Sequence, residues 1–385
     1  MYIAEDIKYV GVNDHEIDLF EGQYVVPEGM AYNSYVILDE KTAVFDTVGE
    51  NFVEEWLGNV NNALGEKKAD YLIIQHMEPD HSSGIESFML AHPETTIVAT
   101  AKAFVMMQQF FASDFTDRRI VATEGMELAL GKHTLKFIMA PMVHWPEVMM
   151  TYDSAAKAVF SADAFGKFGA LDSEDEEWDC EARRYYVGIV GKYGLQVQGV
   201  MKKFSALEVE TICPLHGPIL SGDLSHYIKL YNTWSSYGVE SEGILIAYTS
   251  VYGHTEKACE KLAEILLNNG AEKVMLCDLA RADMAEAVED AFRYGKIVLA
   301  TTTYNNEIFP FMKQFIDHLT ERNFQNRFVA FIENGTWAPT AAKNMKAMLE
   351  KCKNLTFAET TVTIKSALTT ENILQLNKLA AELAD

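Results

Sequence analysis

YLIIQHMEPDHSSG, residues 71–84, is a short apolar run that breaks into His76, Glu78, Asp80 and His81 within six positions. The apolar run predicts a strand. Residues two apart in extended chain point the same way, so His76, Glu78 and Asp80 are expected to converge on one small volume. Ser82-Ser83-Gly84 is expected to turn the chain into a helix, because Ser caps helix starts well and Gly accepts tight turns. A polar loop after a buried strand explains any one of these residues alone. Four metal-ligand types packed together ask for a second cluster elsewhere.

The whole chain sets bounds on what that cluster does. Its 385 residues suggest about two domains, and 49% apolar with 23% charged residues is the composition of a folded globular protein. A net charge of -24 argues against nonspecific nucleic-acid binding and against adhesion to anionic membranes. The basic pairs Arg118-Arg119, Arg183-Arg184 and Lys202-Lys203 read as solvated surface. No segment is long and apolar enough to span a bilayer, and MYIAEDIKYV has no signal-peptide pattern. Cys180, Cys213, Cys259, Cys277 and Cys352 are odd in number and lack CxxC spacing, which fits reduced thiols in a cytoplasmic protein. They encode no four-cysteine iron site, so electrons from such a centre have to come from a separate protein.

Upstream of the opening stretch, IDLFEGQYVV, AYNSYVILDE and KTAVFDTVG read as hairpins, and residues 51–64 have helical spacing. Downstream, TTIVAT, a helix over 103–111, RRIVAT and a hairpin centred on Gly131-Lys132 lead to His144. Another hairpin, TYDSAAKAVFSADAFG, carries Asp163 near its end. The acid-rich loop LDSEDEEWD, residues 171–179, reads as a solvated face and precedes helical segments with Tyr185, Tyr186 and Tyr193. The strand of VETICPLHG then breaks at His216-Gly217.

After Gly238–Gly243 the pattern changes. Five strand-like runs alternate with five helical ones, beginning with GILIAYTS, which is the pattern of a doubly wound parallel sheet. Two domains are therefore expected, 1–240 and 243–385.

His76, Glu78, Asp80, His81, His144, Asp163 and His216 all fall just past strands of the first domain. Seven ligands exceed one tetrahedral site and suit two metals bridged by Asp163. His15 and His92 have no place in the pattern. The order HxExDH, His, Asp, His resembles the metallo-β-lactamase fold, and Glu78 in place of a second His resembles the flavodiiron proteins within it. A carboxylate there is a harder donor than imidazole and favours iron over zinc. The resemblance implies an αββα sandwich in which His76, Glu78 and His144 hold one iron, Asp80, His81 and His216 the other, and Asp163 bridges. Trp145, Tyr185 and Tyr186 are candidates to line the gas pocket.

In the second domain Thr249-Ser250-Val251-Tyr252-Gly253-His254-Thr255 opens a helix and suits a phosphate, without the lysine of a nucleotide-hydrolysing loop. Thr302-Thr303-Tyr304-Asn305-Asn306 and Glu333-Asn334-Gly335-Thr336-Trp337-Ala338 lie at the same edge of the expected sheet. The three loops resemble those that hold FMN in flavodoxin, with Tyr304 and Trp337 flanking the ring. Together the halves resemble a two-domain flavodiiron protein. That resemblance implies reduction of O2 to water, of NO to N2O, or both. It also implies a separate donor such as rubredoxin or a deazaflavin coenzyme, and a head-to-tail homodimer or a dimer of dimers. The rival reading is a dinuclear zinc hydrolase of the lactamase fold with an accessory flavodoxin domain.

Overall fold

Tyr35–Leu38 pairs antiparallel with Thr42–Phe45 across the turn at Asp39-Glu40, and Leu19–Phe20 pairs with Tyr24–Val25 across Glu21-Gly22. These β-branched and aromatic runs bounded by turn residues form hairpins as their alternation predicts. The computed structural model describes residues 3–173 and 177–384. The solvated face expected at Glu174, Asp175 and Glu176 lies outside the described residues. The chain divides into two compact units, 1–232 and 233–385, and the division falls inside the helix Ser225–Ser235.

The first unit contains two six-stranded sheets. One runs Ile7–Tyr9, Tyr35–Leu38, Thr42–Phe45, Tyr71–Ile73, Thr96–Thr100 and Arg119–Ala122. The other runs Glu127–Ala129, Thr134–Met139, Met149–Asp153, Ala158–Phe160, Thr211–Cys213 and Leu220–Ser221. Inner-face residues of both sheets, among them Ile73, Phe137, Met149 and Cys213, form one buried cluster. Within it Phe45 stacks on Phe160 with ring centres 4.1 Å apart. Helix Val53–Leu64 buries Trp56, Val60 and Leu64, one residue per turn on a single face, and ends at Gly65 in a positive-φ conformation. This is the expected αββα sandwich.

Three local expectations are corrected. The ligand-bearing stretch is extended only to Ile73, and Pro79–Ser82 is already helical, with Pro79 at the first position. Ser82 and Ser83 cap nothing: their hydroxyls donate to the carbonyls of Met77 and Pro79, and Gly84 stands at the start of the helix Ile85–Ala91. Arg183 and Arg184 are buried, contrary to the solvated reading of that basic pair. Arg184 donates to Glu181 and to the carbonyl of Val25 and lies over the Phe168 ring at 4.6 Å.

In the second unit the sheet order is Val274–Asp278, Ser241–Tyr248, Tyr294–Tyr304, Phe328–Asn334, Thr356–Ile364, all parallel. This order, with intervening helices, is the doubly wound flavodoxin-like arrangement and places its ligand crevice at the carboxyl ends of the strands. The helices are His254–Asn268, Met284–Arg293, Pro310–Glu321, Ala341–Leu349 and Thr370–Ala384. No helix among the described residues is long and apolar enough to cross a membrane.

Candidate functional site

His76 follows strand Tyr71–Ile73, His144 follows Thr134–Met139, Asp163 follows Ala158–Phe160 and His216 follows Thr211–Cys213. The helical turn at Pro79 breaks the expected convergence of His76, Glu78 and Asp80 and sorts the ligand types into two groups. In the first, Glu78 Oε2 lies 3.2 Å from His76 Nε2 and 3.0 Å from His144 Nε2. Asp163 Oδ2 lies 3.4 and 3.1 Å from the same two nitrogens. In the second, His81 Nε2 and His216 Nε2 are 2.9 Å apart, and Asp80 Oδ2 lies 3.3 and 3.4 Å from them. Asp163 Oδ1 is 3.4 Å from His81 Nε2. Asp163 thus offers one oxygen to each group.

The donor set fits two cations. Both oxygens of Asp80 and of Asp163 are buried without a hydrogen-bond donor among the described residues, a costly arrangement for carboxylates unless a cation lies between them. His216 Nδ1 donates to the Ala31 carbonyl at 2.7 Å, which leaves Nε2 with its lone pair facing His81. Without a cation His76, His81 and His144 collect protons: burial opposes charge on His144, but Asp163 and Glu78 prevail and push it up to about 9. Burial likewise resists the charged form of Asp163, and its histidine neighbours hold it well below the usual carboxylate range. Metal ions bind in place of those protons.

The pocket candidates separate. Trp145 presents its ring edge-on to His76 at 5.3 Å, and Tyr185 lies 5.5 Å from His216. The Tyr185 hydroxyl is buried with no hydrogen-bond partner among the described residues. Tyr186 packs against Tyr231 at 5.2 Å. Sequence reasoning missed two groups behind the ligands. Glu147 faces His76 Nδ1 at 2.9 Å, and Asn33 holds the turn that carries His216. Their only signal is position, Glu147 three residues beyond His144 and Asn33 just past the strand Met30–Tyr32.

In the second unit the expected loops surround a cavity of about 450 Å³, within the usual range for cofactor pockets. Ser250, Val251, Tyr252, His254 and Thr255 line it from the first loop, 302–306 from the second and 334–338 from the third. Helix His254–Asn268 opens there with no side-chain cap, so its first-turn N–H groups remain for an anion. Two side chains are turned away, contrary to expectation. Thr249 is fully buried and pairs with Thr301 at 2.6 Å, and the Glu333 carboxylate accepts from Ala342 N and Thr363 Oγ1. Gly253 is not among the lining residues; its N–H donates to Ser250 Oγ at 3.1 Å. Ser366, at φ 79°, is a lining residue that the sequence did not single out.

Fold and site together define an oxidoreductase with a dinuclear metal centre in one unit and a flavin pocket in the other. Residues 30–217 match the ODP family beta lactamase model, and 245–373 match a flavodoxin domain. A relative named nitric oxide reductase, from Moorella thermoacetica, is 30% identical over 100% of this chain and 98% of its own. The solved rubredoxin oxygen:oxidoreductase of Desulfovibrio gigas superposes with a TM-score of 0.91 at 27% identity, covering 99% of this chain and 97% of the other. The flavodiiron protein of Giardia intestinalis gives a TM-score of 0.91 at 25% identity, over 99% and 94%. The chain belongs to the flavodiiron protein family. Its cofactors are FMN and a non-haem diiron centre.

Proposed function

We propose that the chain reduces O2 to water, NO to N2O, or both. The observation that carries this reading is the pair of ligand groups sharing Asp163, in one chain with a flavodoxin-type pocket. When bound, the two irons supply paired one-electron donors to a small molecule, and FMN supplies the relay that recharges them.

The protein's own part is holding, orienting and shielding. His76, Glu78 and His144 would hold one iron and Asp80, His81 and His216 the other, with Asp163 offering one oxygen to each group. The Tyr185 hydroxyl, buried without a partner among the described residues, would be the donor of a hydrogen bond to a bound gas. Trp145 closes the His76 side. In the second unit Ser250, Thr255 and the first-turn N–H groups of helix His254–Asn268 would take the FMN phosphate, and Tyr304 and Trp337, which line the same cavity, would flank its ring. Tyr252 and Trp337 leave 90% of their surface exposed at this pocket, which supports a face for a separate donor or a second chain. The name of the Desulfovibrio gigas relative points to rubredoxin as such a donor, and a deazaflavin coenzyme is the other candidate. A head-to-tail homodimer is the assembly that goes with this reading. Glu78 speaks against the zinc hydrolase, since a carboxylate in that position favours iron.

The test is anaerobic stopped-flow of the reduced protein against O2 and against NO, with product analysis. Water or N2O is expected, and peroxide as the main product would exclude four-electron reduction.

A further inference from the structure

The two metal positions have matched inner sets. Each has two imidazoles, one carboxylate of its own and one oxygen of Asp163. The groups behind them are not matched. His76 Nδ1 lies 2.9 Å from Glu147 Oε1, and Glu147 is only 2% exposed. The same oxygen accepts from Met77 N at 2.9 Å, so Glu147 Oε1 is fixed between a backbone nitrogen and the imidazole. Thr100, which also caps helix Ala101–Phe111, donates to the Glu147 carbonyl at 3.0 Å and fixes that residue in place. On the other side His216 Nδ1 donates to a neutral backbone carbonyl, and His81 Nδ1 has no hydrogen-bond partner among the described residues. The nearby buried Asp46 meets the backbone N–H groups of Gln75 and His76 rather than any ring.

A carboxylate behind an imidazole draws its proton outward and makes the opposite nitrogen a stronger donor than a carbonyl does. Stronger donation favours the ferric over the ferrous ion. We infer that Glu147 is a positioning residue that makes the centre electronically unequal. The iron held by His76, Glu78 and His144 has the lower ferric/ferrous midpoint potential, and the iron held by Asp80, His81 and His216 the higher. This rests on the diiron reading above.

The experiment is a redox titration of the full-length, iron-loaded protein followed by Mössbauer spectroscopy, in native, Glu147→Gln and Glu147→Asp forms, with iron counted in each. Two resolved couples are expected in the native protein. The lower couple moves upward in Glu147→Gln, and less far in Glu147→Asp, whose shorter side chain keeps the charge at a longer distance, while the upper couple stays in place. Coincident couples in the native protein overturn the inference. So does an unmoved lower couple in a variant that keeps both irons, an equal shift of both couples, or loss of iron from both variants. A native protein without iron contradicts the diiron reading itself, which separates the two failures.

Discussion

Asn33 commits its amide nitrogen to the turn that carries His216. Its Nδ2 donates to the carbonyls of Pro214 at 2.9 Å and Gly217 at 2.8 Å, its Oδ1 accepts from Tyr9, and it is fully buried. Asn33→Ala takes this donor from the Gly217 carbonyl, at about 1–3 kcal/mol, while the Pro214 carbonyl keeps the Tyr35 hydroxyl at 2.8 Å. Urea denaturation of the metal-free protein is expected to show about 1–3 kcal/mol lost, and metal titration to show weaker binding of one of the two ions. His133 makes a second staple, with Nδ1 2.6 Å from Asp153 and Nε2 3.0 Å from Asp6. The Asp153 hydrogen bond, with Asp6, raises His133 against the effect of burial. At Asp6 burial acts upward, but Lys132 and His133 hold it down to about 2. A raised histidine stabilises fully below about pH 6.5 and loses that contribution as pH rises through its folded value; a depressed aspartate stabilises above about pH 3.9 and loses it as pH falls. The stability gap between native protein and His133→Asn, measured by urea unfolding, should therefore be largest between about pH 4 and 6.5 and narrow as pH rises through the raised value of His133. The seven ligand types were legible because each follows a strand end. Glu147 and Asn33 were not, since their partners lie 71 and 181 residues away and only the closed sandwich brings them together.

At the scale of elements, the opening stretch shows where periodicity stops being a guide. Alternation read it as extended through Asp80, and Pro79 at a helix start overrode that reading. The consequence is chemical, because a continuous strand would aim three ligands at one point, whereas the turn at Pro79 serves two metals. In the second unit the phosphate loop depends on Gly253, whose φ of 84° disfavours any side chain. Gly253→Ala should destabilise by about 1–2 kcal/mol and weaken FMN retention, read as recovery of flavin fluorescence on dilution. Glu333 was misjudged for a related reason. A polar residue at a strand end reads as a ligand contact, but the Glu333 carboxylate accepts the Ala342 N–H of helix Ala341–Leu349 and the Thr363 hydroxyl instead.

At the scale of the molecule, the change from hairpins to alternating strands and helices was plain in the sequence because each pattern follows from a different sheet type. Two units with separate cores and separate cofactors should respond separately. Free FMN at about a hundredfold over its dissociation constant is worth about 2.7 kcal/mol to the unit that binds it. Calorimetry is expected to show the flavodoxin-like unit shifting upward with FMN and the other shifting with metal. The central claim is that a dinuclear iron centre is built around Asp163, and elemental analysis of anaerobically purified protein tests it most directly. About two irons per chain with negligible zinc, both falling in Asp163→Asn, is the predicted result. Two zinc ions and no iron would contradict it.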